Sequence, residues 1–375
     1  MTDLRKKSLR GTIVNVTTIA LFLLIIYILS GTLSDNNYRR KLVPIIWQLC
    51  IFILLGTSLN LTMGFLGELA LGHMGFMGIG AYTAALSSLA LERAGLFDAN
   101  TAGPLLLIGV MLGCSLLGAI LAGLLSLLLG IPALRLRGDY LAIVTLGFGL
   151  IIENVIANLP FAGGNGLAEG TASSALYKTG LGIKTALQAQ YVYFPILLTI
   201  VCVGFMFMFI TSKYGRAIKS IREDEIAASA SGVNTTFYKI LTFAISAFFA
   251  GIAGGLYAIC TGSLSTGSFT FASPSIWNST FIVVLVVLGG MGSLTGSILS
   301  AIVMYMLNYE IKNGKWVALM PQFLQNMFAF PMLIYAIVLM AVIMFRPNGM
   351  LGTHEFSLRG LLFKKREQAL GGEVK

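Results

Sequence analysis

The sequence predicts an all-α protein that crosses a membrane eight to ten times, and three observations carry that prediction. Of its 375 residues 57% are apolar and only 11% are charged, whereas a soluble domain carries roughly 25% charged residues. Apolar stretches recur along the chain near the length of roughly 20 residues that a helix needs to cross a hydrocarbon core about 30 Å thick. The basic residues gather in the gaps between those stretches.

Taken in order, the candidate crossings are residues 12–33, 42–63, 67–90, 102–130, 140–159, 190–211, 235–260, 276–288, 294–310 and 328–346. The stretch at 276–288 is short for a full crossing. Arg5, Lys6, Lys7 and Arg10 precede the first stretch. That stretch is too long for a signal-peptide core and lacks a small-residue cleavage site, so it is expected to stay as a first span. Counted as ten spans, the basic ends at 5–10, 135–137, 213–222 and 359–366 fall on one side, and an excess of Lys and Arg marks that side as cytoplasmic. Both termini are therefore expected inside. Arg39, Arg40 and Lys41 fall on the opposite side in this count, which leaves the number of spans at eight to ten. The division expected is 1–41 as an N-terminal segment with the first helix, 42–346 as the membrane domain and 347–375 as a cytoplasmic tail. The longest outer segment, 160–189, is rich in Gly, Ser, Thr and Ala and suits either a lid or a plain connector.

Composition also narrows the function. The net charge of +10 has its ordinary membrane-protein cause in cytoplasmic loops and forms no continuous patch for nucleic acid. Cys50, Cys114, Cys202 and Cys260 lie in or at the ends of apolar stretches without paired spacing, as small buried hydrophobes do. The sequence has no G-x-x-x-x-G-K-[ST] phosphate loop, so any nucleotide has to be bound by another polypeptide. Two histidines, His73 and His354, and no nucleophile–base pattern lead us to expect no catalytic residue and no metal ligand in this chain.

The stretch 212–239 reads SKYGRAIKSIREDEIAASASGVNTTFYK. On a helix Tyr214, Ala217, Ile218 and Ile221 form one apolar stripe, and Lys213, Arg216, Lys219 and Arg222 wind around the opposite half. Glu223, Asp224 and Glu225 follow. Gly232 is a plausible helix stop, and Asn234 and Thr235 are placed to cap the next span. By its residues alone the stretch fits docking into a groove on a soluble partner, a helix on anionic lipid, or a solvated loop.

Glu225, Ala227, Ala228 and Gly232 form E-x-A-A-x-x-x-G, which resembles the cytoplasmic coupling motif of ABC importer permeases. The wider segment 222–258, REDEIAASASGVNTTFYKILTFAISAFFAGIAGGLYA, is similar to the M-type permease of branched-chain amino acid importers, the LivM family. GELALGHMGFMGIGAY at 67–82, LRLRGDYLAIVTLGFG at 134–149, LGGMGSLTGS at 288–297 and FRPNGMLG at 345–352 resemble that family's other segments in the same order. The family commonly places an acid directly after the Thr-Leu-Gly-Phe-Gly run; this chain has Leu150 there and an acid only at Glu153. The resemblance implies an ABC importer permease fold in the bacterial inner membrane. It implies a homologous second permease, two cytoplasmic ATPases that bind ATP and Mg, and an extracytoplasmic solute-binding protein. It also implies coupling to the ATPases through 212–234, with Arg216, Arg222, Glu223, Asp224, Glu225, Ala227, Ala228 and Gly232 as the residues involved. The solute stays open between branched-chain amino acids and urea or short amides; the other alternative, an ion-coupled secondary transporter, would want paired charges at the bilayer midplane, of which this chain offers very few.

Glycines at 72, 75, 78 and 80, Gly109 with Gly113, and Gly251 with Gly255 would let helix backbones approach closely. Gly289, Gly290, Gly292 and Gly296 interrupt an apolar region much as Gly64 and Gly67 do in the first half, and paired breaks can mark a substrate path. Within the spans, the charged or ionisable groups singled out are Glu68, His73 and Glu153. Glu68, His73, Gly72, Gly75, Gly289 and Gly290 are therefore the candidate pathway residues. On one helix Glu68 and His73 would sit about 140° apart, too far around for a shared face, and Glu68 could cap the start of its helix.

Overall fold

The computed structural model describes residues 36–95, 104–133, 139–159, 193–261, 264, 278–313, 331–345, 349, 350 and 352. The first candidate crossing, the segment 160–189 and most of the C-terminal tail lie outside those residues. Eleven α-helices are formed among them, with no β-strand. They are α1 (Asn36–Asn60), α2 (His73–Arg93), α3 (Pro104–Ala133), α4 (Asp139–Asn158), α5 (Tyr193–Thr211), α6 (Lys213–Glu223), α7 (Glu225–Ala230), α8 (Thr235–Thr261), α9 (Ser279–Gly289), α10 (Leu294–Asn313) and α11 (Pro331–Phe345). Six of them, α1, α2, α3, α5, α8 and α10, are long and apolar enough to cross a membrane, and α4, α9 and α11 are shorter apolar helices. Each of the nine candidate crossings after the first thus coincides with an apolar helix.

Two of these helices form the centre. Beyond Lys41, α1 is apolar on nearly every side, and Trp47, Cys50, Ile51, Phe52, Ile53, Leu54 and Leu55 are all inaccessible to solvent. A helix with no polar face has to be surrounded by others. α8 packs on α1, α2 and α3. It approaches α2 and α3 through backbone rather than side chains: a Cβ on Gly80 would lie 2.5 Å from the Gly251 Cα, and one on Gly251 would lie 2.7 Å from the Ala119 Cα. Only glycine allows that approach, and it yields the close helix packing on which membrane bundles rely. Gly72 and Gly75 play the same part between α2 and α4, each meeting the backbone at Thr145 or Gly149. Gly109 and Gly113 do not. Nothing lies within 4 Å of a Cβ placed on either, because they turn toward an open groove between α2 and α3 rather than toward a neighbouring backbone.

Two spans are broken. Past Asn60 the chain continues as a π-helical turn, Leu61–Leu66, and stops at Gly67, whose φ of +83° is open only to glycine at little cost. Helix α2 then begins at His73, so 67–72 is not helical. In the second half α9 is only 11 residues long. At 1.5 Å per residue it spans about 17 Å, roughly half the hydrocarbon core. It ends at Gly290 and Gly292, both at positive φ, and the chain returns as α10. Gly289 and Gly296 sit against each other across that turn.

Candidate functional site

The stretch 212–234 folds as two short helices rather than the single helix expected. Ser212 caps α6, its hydroxyl accepting from the Tyr214 N–H at 3.1 Å. Asp224 then adopts extended backbone and caps α7, its carboxylate accepting from the N–H groups of Ile226 at 2.8 Å and Ala227 at 3.0 Å. An acid that accepts two N–H bonds ends one helix and starts the next, because it satisfies donors that have no partner inside the helix. Gly232 closes α7 at φ +85°, and Asn234 caps α8 through the Phe237 N–H at 3.1 Å.

The two short helices lie across the end of the bundle where both breaks are. Ile218 and Ile221 are buried in the common core, while Tyr214 of the expected stripe is half exposed. From the same helix Arg222 donates a hydrogen bond to the Gly64 carbonyl in the π-helical turn. Its aliphatic stem lies against Gly67 and its guanidinium against Gly292. Lys219 holds its ammonium 5.3 Å from the centre of the Phe65 ring, within cation–π range. One helix therefore grips the first break and touches the second.

Asn60 joins the two breaks to each other. Its amide donates to the Ser293 carbonyl at 2.8 Å and to the Ser297 hydroxyl at 2.7 Å, and its oxygen accepts from the Gly292 N–H at 3.0 Å. All three bonds are buried, where an unmade bond is costly. The late segment seals this end: Met350 N–H donates to the Leu288 carbonyl at 2.9 Å, with Gly349 against Gly290.

A second tie runs through Lys239, one turn into α8. Its ammonium lies 2.8 Å from Glu68 in the first break and 3.0 Å from Glu225 at the start of α7. The lysine side chain is 5% exposed, Glu68 15% and Glu225 34%. Glu68 therefore caps no helix; five residues separate it from the start of α2, and its carboxylate serves as a counter-ion instead. The angular separation from His73 no longer applies, since 67–72 is not helical. His73 lies inside the bundle, its Nε2 2.8 Å from the Ser58 hydroxyl, and Ser246 on α8 donates to the Ser58 carbonyl at 2.6 Å.

The expected site residues thus fall into three places. Arg222, Glu225, Glu68, Gly289 and Gly290 meet at the end of the bundle, and Ala228 is buried beneath α7. Arg216, Glu223, Asp224, Ala227 and Gly232 are exposed on its outer surface. His73, Gly72 and Gly75 lie deeper, along α2. Three participants were not foreseen. Lys239 is a cation at the start of an apolar stretch, which the sequence shows, but its pairing with Glu68 far earlier in the chain is not visible there. Asn60, at the end of an apolar stretch, was a weaker sign. Ile226, 75% exposed beside Ala227, carried no sign, because its exposure follows from where Asp224 starts α7.

Residues 42–345 match the family described as "Branched-chain amino acid transport system / permease component". The chain is 36% identical over 285 residues to the high-affinity branched-chain amino acid transport system permease protein LivM of Salmonella typhimurium. It is 37% identical over 285 residues to the protein of that name in Escherichia coli. Each alignment covers 71% of this chain and 62% of the relative, so the chain spans less than two thirds of those proteins' length. A probable LivM of Methanocaldococcus jannaschii is 22% identical over 328 residues, which cover 80% of this chain and 90% of that one.

Proposed function

This chain belongs to the branched-chain amino acid transport permease family, and from that premise we propose that it is one of two membrane-spanning subunits of an ABC importer for branched-chain amino acids. In this reading a second, homologous permease completes the passage. Two ATPases that bind ATP and Mg dock on the cytoplasmic face of the inner membrane, and a solute-binding protein delivers the amino acid from the other side. Both termini lie in the cytoplasm. The chain itself has a mechanical part and performs no chemistry.

The observation that carries this reading is the pair of ties between α6–α7 and the helix breaks. A soluble partner seated on Ile226, Ala227 and the exposed charges of Arg216 and Glu223 would push on α7. Movement of α7 pulls Glu225 against Lys239, and hence against Glu68 and α8. Movement of α6 pulls Arg222 against the π-helical turn and, through Asn60, against the α9–α10 turn. Backbone already broken at glycine can change its angles without first breaking a helix, so force applied at one end reaches the spans where they are most easily bent. Small-residue contacts along α2, α3 and α8 leave few interlocked side chains to resist sliding.

Uptake of labelled leucine into cells with and without this gene tests the assignment, with unlabelled isoleucine, valine and urea as competitors. Loss of a component for which isoleucine and valine compete is the expected result. Loss of urea or amide uptake with leucine uptake unchanged would move the chain to an importer of those solutes.

A further inference from the structure

α4 is only partly covered by the rest of the bundle. One side of it packs on α2, where Leu141, Ala142 and Thr145 are buried and Phe148 meets Phe76 at 5.4 Å. Most of the remainder is open, including Ile143, Leu150, Ile151 and Val155. The large exposed side chains of α3 and α5 are likewise apolar or aromatic, as lipid requires. The open side of α4 differs. It carries Asn154 and Asn158, whose amides donate back to the Leu150 carbonyl at 2.8 Å and the Asn154 carbonyl at 2.7 Å. Beside them lies Glu153, whose carboxylate has no hydrogen bond or ion pair among the described residues.

An ionised side chain in an apolar membrane helix is costly and rare. A chain that keeps one does so where water or a cation reaches it. Glu153 edges a cleft in which Gly75, Gly78 and Tyr82 of α2 face Gly149 and Ile156 of α4, with about 10 Å³ free, room for a single water molecule. Gly75 and Gly149 bring the two backbones together at this cleft, which Tyr82, Ile152, Glu153 and Ile156 otherwise line, and Gly147 on α4 has open space in front of it. The open side of α4 thus carries one anionic point, with Asn154 and Asn158 exposed on a neighbouring part of the same helix.

We propose that Glu153 lines the solute passage and takes the ammonium group of an amino acid as it crosses. This rests on the permease reading above and names the residue that would recognise the charged end of its solute. An ammonium could instead come from a lysine of the second permease. The two sources differ in consequence: weakening the subunit interface disassembles the importer, whereas removing a solute-binding group leaves it assembled.

The complete importer in proteoliposomes, with binding protein and labelled leucine, separates them. Glu153→Gln is expected to lower uptake at least about tenfold while ATPase activity stimulated by the loaded binding protein stays within about twofold, the loss of one charge-assisted bond. Glu153→Asp is expected to recover part of the uptake. In a companion measurement Asn154→Cys reacts with a membrane-impermeant maleimide, and Leu117→Cys on the exposed face of α3 does not; the four native cysteines are buried. Unchanged uptake by Glu153→Gln overturns the proposal. So does joint loss of assembly and ATPase activity, which would assign the carboxylate to the subunit interface, and so does an unreactive Asn154→Cys. Absence of leucine uptake by the unaltered importer overturns the permease premise itself, whatever the Glu153 variants do.

Discussion

Lys239 neutralises two carboxylates brought from opposite directions, Glu68 from a break in the first half and Glu225 from α7. Removing the cation leaves two acids facing each other with little water. Lys239→Met is expected to cost about 1–3 kcal/mol, between the value of an exposed pair and that of a fully buried one, since Glu225 is one-third exposed. Thermal unfolding in detergent reads this as a lowered midpoint. Glu68→Gln should cost less, because Glu225 still holds the lysine; an equal loss would show that the lysine serves only Glu68. Asn60→Leu leaves the Gly292 N–H without its partner and takes one of its donors from the Ser293 carbonyl, at about 1–3 kcal/mol by the same measurement. Arg222 and Glu225 could be found in the sequence because they lie in a motif. Lys239 and Asn60 could not be placed that way, since their meaning depends on partners more than 150 residues distant for Lys239–Glu68 and more than 230 for Asn60–Ser293.

Elements divide into those that membrane insertion dictates and those that tertiary contact decides. The apolar stretches from 42 onward become helices, because backbone in hydrocarbon has to bond to itself. Composition alone misplaces the start of α2: 67–72 is as apolar as the helix after it, yet Gly67 and the Glu68–Lys239 pair hold it out of the helix. The division of 212–234 into α6 and α7 depends on Asp224, and Asp224→Ala is expected to remove about 1 kcal/mol of capping. Circular dichroism would barely register it, whereas stimulation of the ATPase by loaded binding protein should fall; unaltered stimulation would mean that the corner has no part in coupling. Glycine pairs show the same limit. Gly251→Ala is expected to destabilise by about 1–3 kcal/mol through overpacking against α3. Gly113→Ala, facing open space, should be tolerated with little change in thermal midpoint, although the two glycines look alike in sequence.

At the scale of the whole molecule, two broken spans meet at one end under a pair of short helices, and two basic side chains tie the first break to them. Arg222 holds the π-helical turn and lies against Gly292; Lys239 holds the segment just beyond that turn. In the proposed importer, work done on α6–α7 would reach the spans in part through these side chains. The most direct test is the ratio of leucine moved to ATP hydrolysed by the reconstituted importer carrying Arg222→Gln. Hydrolysis is expected to continue while leucine moved per ATP falls about tenfold, the equivalent of one missing charge-assisted hydrogen bond. A ratio equal to that of the unaltered importer would contradict coupling through Arg222 and would leave its hold on the π-helical turn as packing alone.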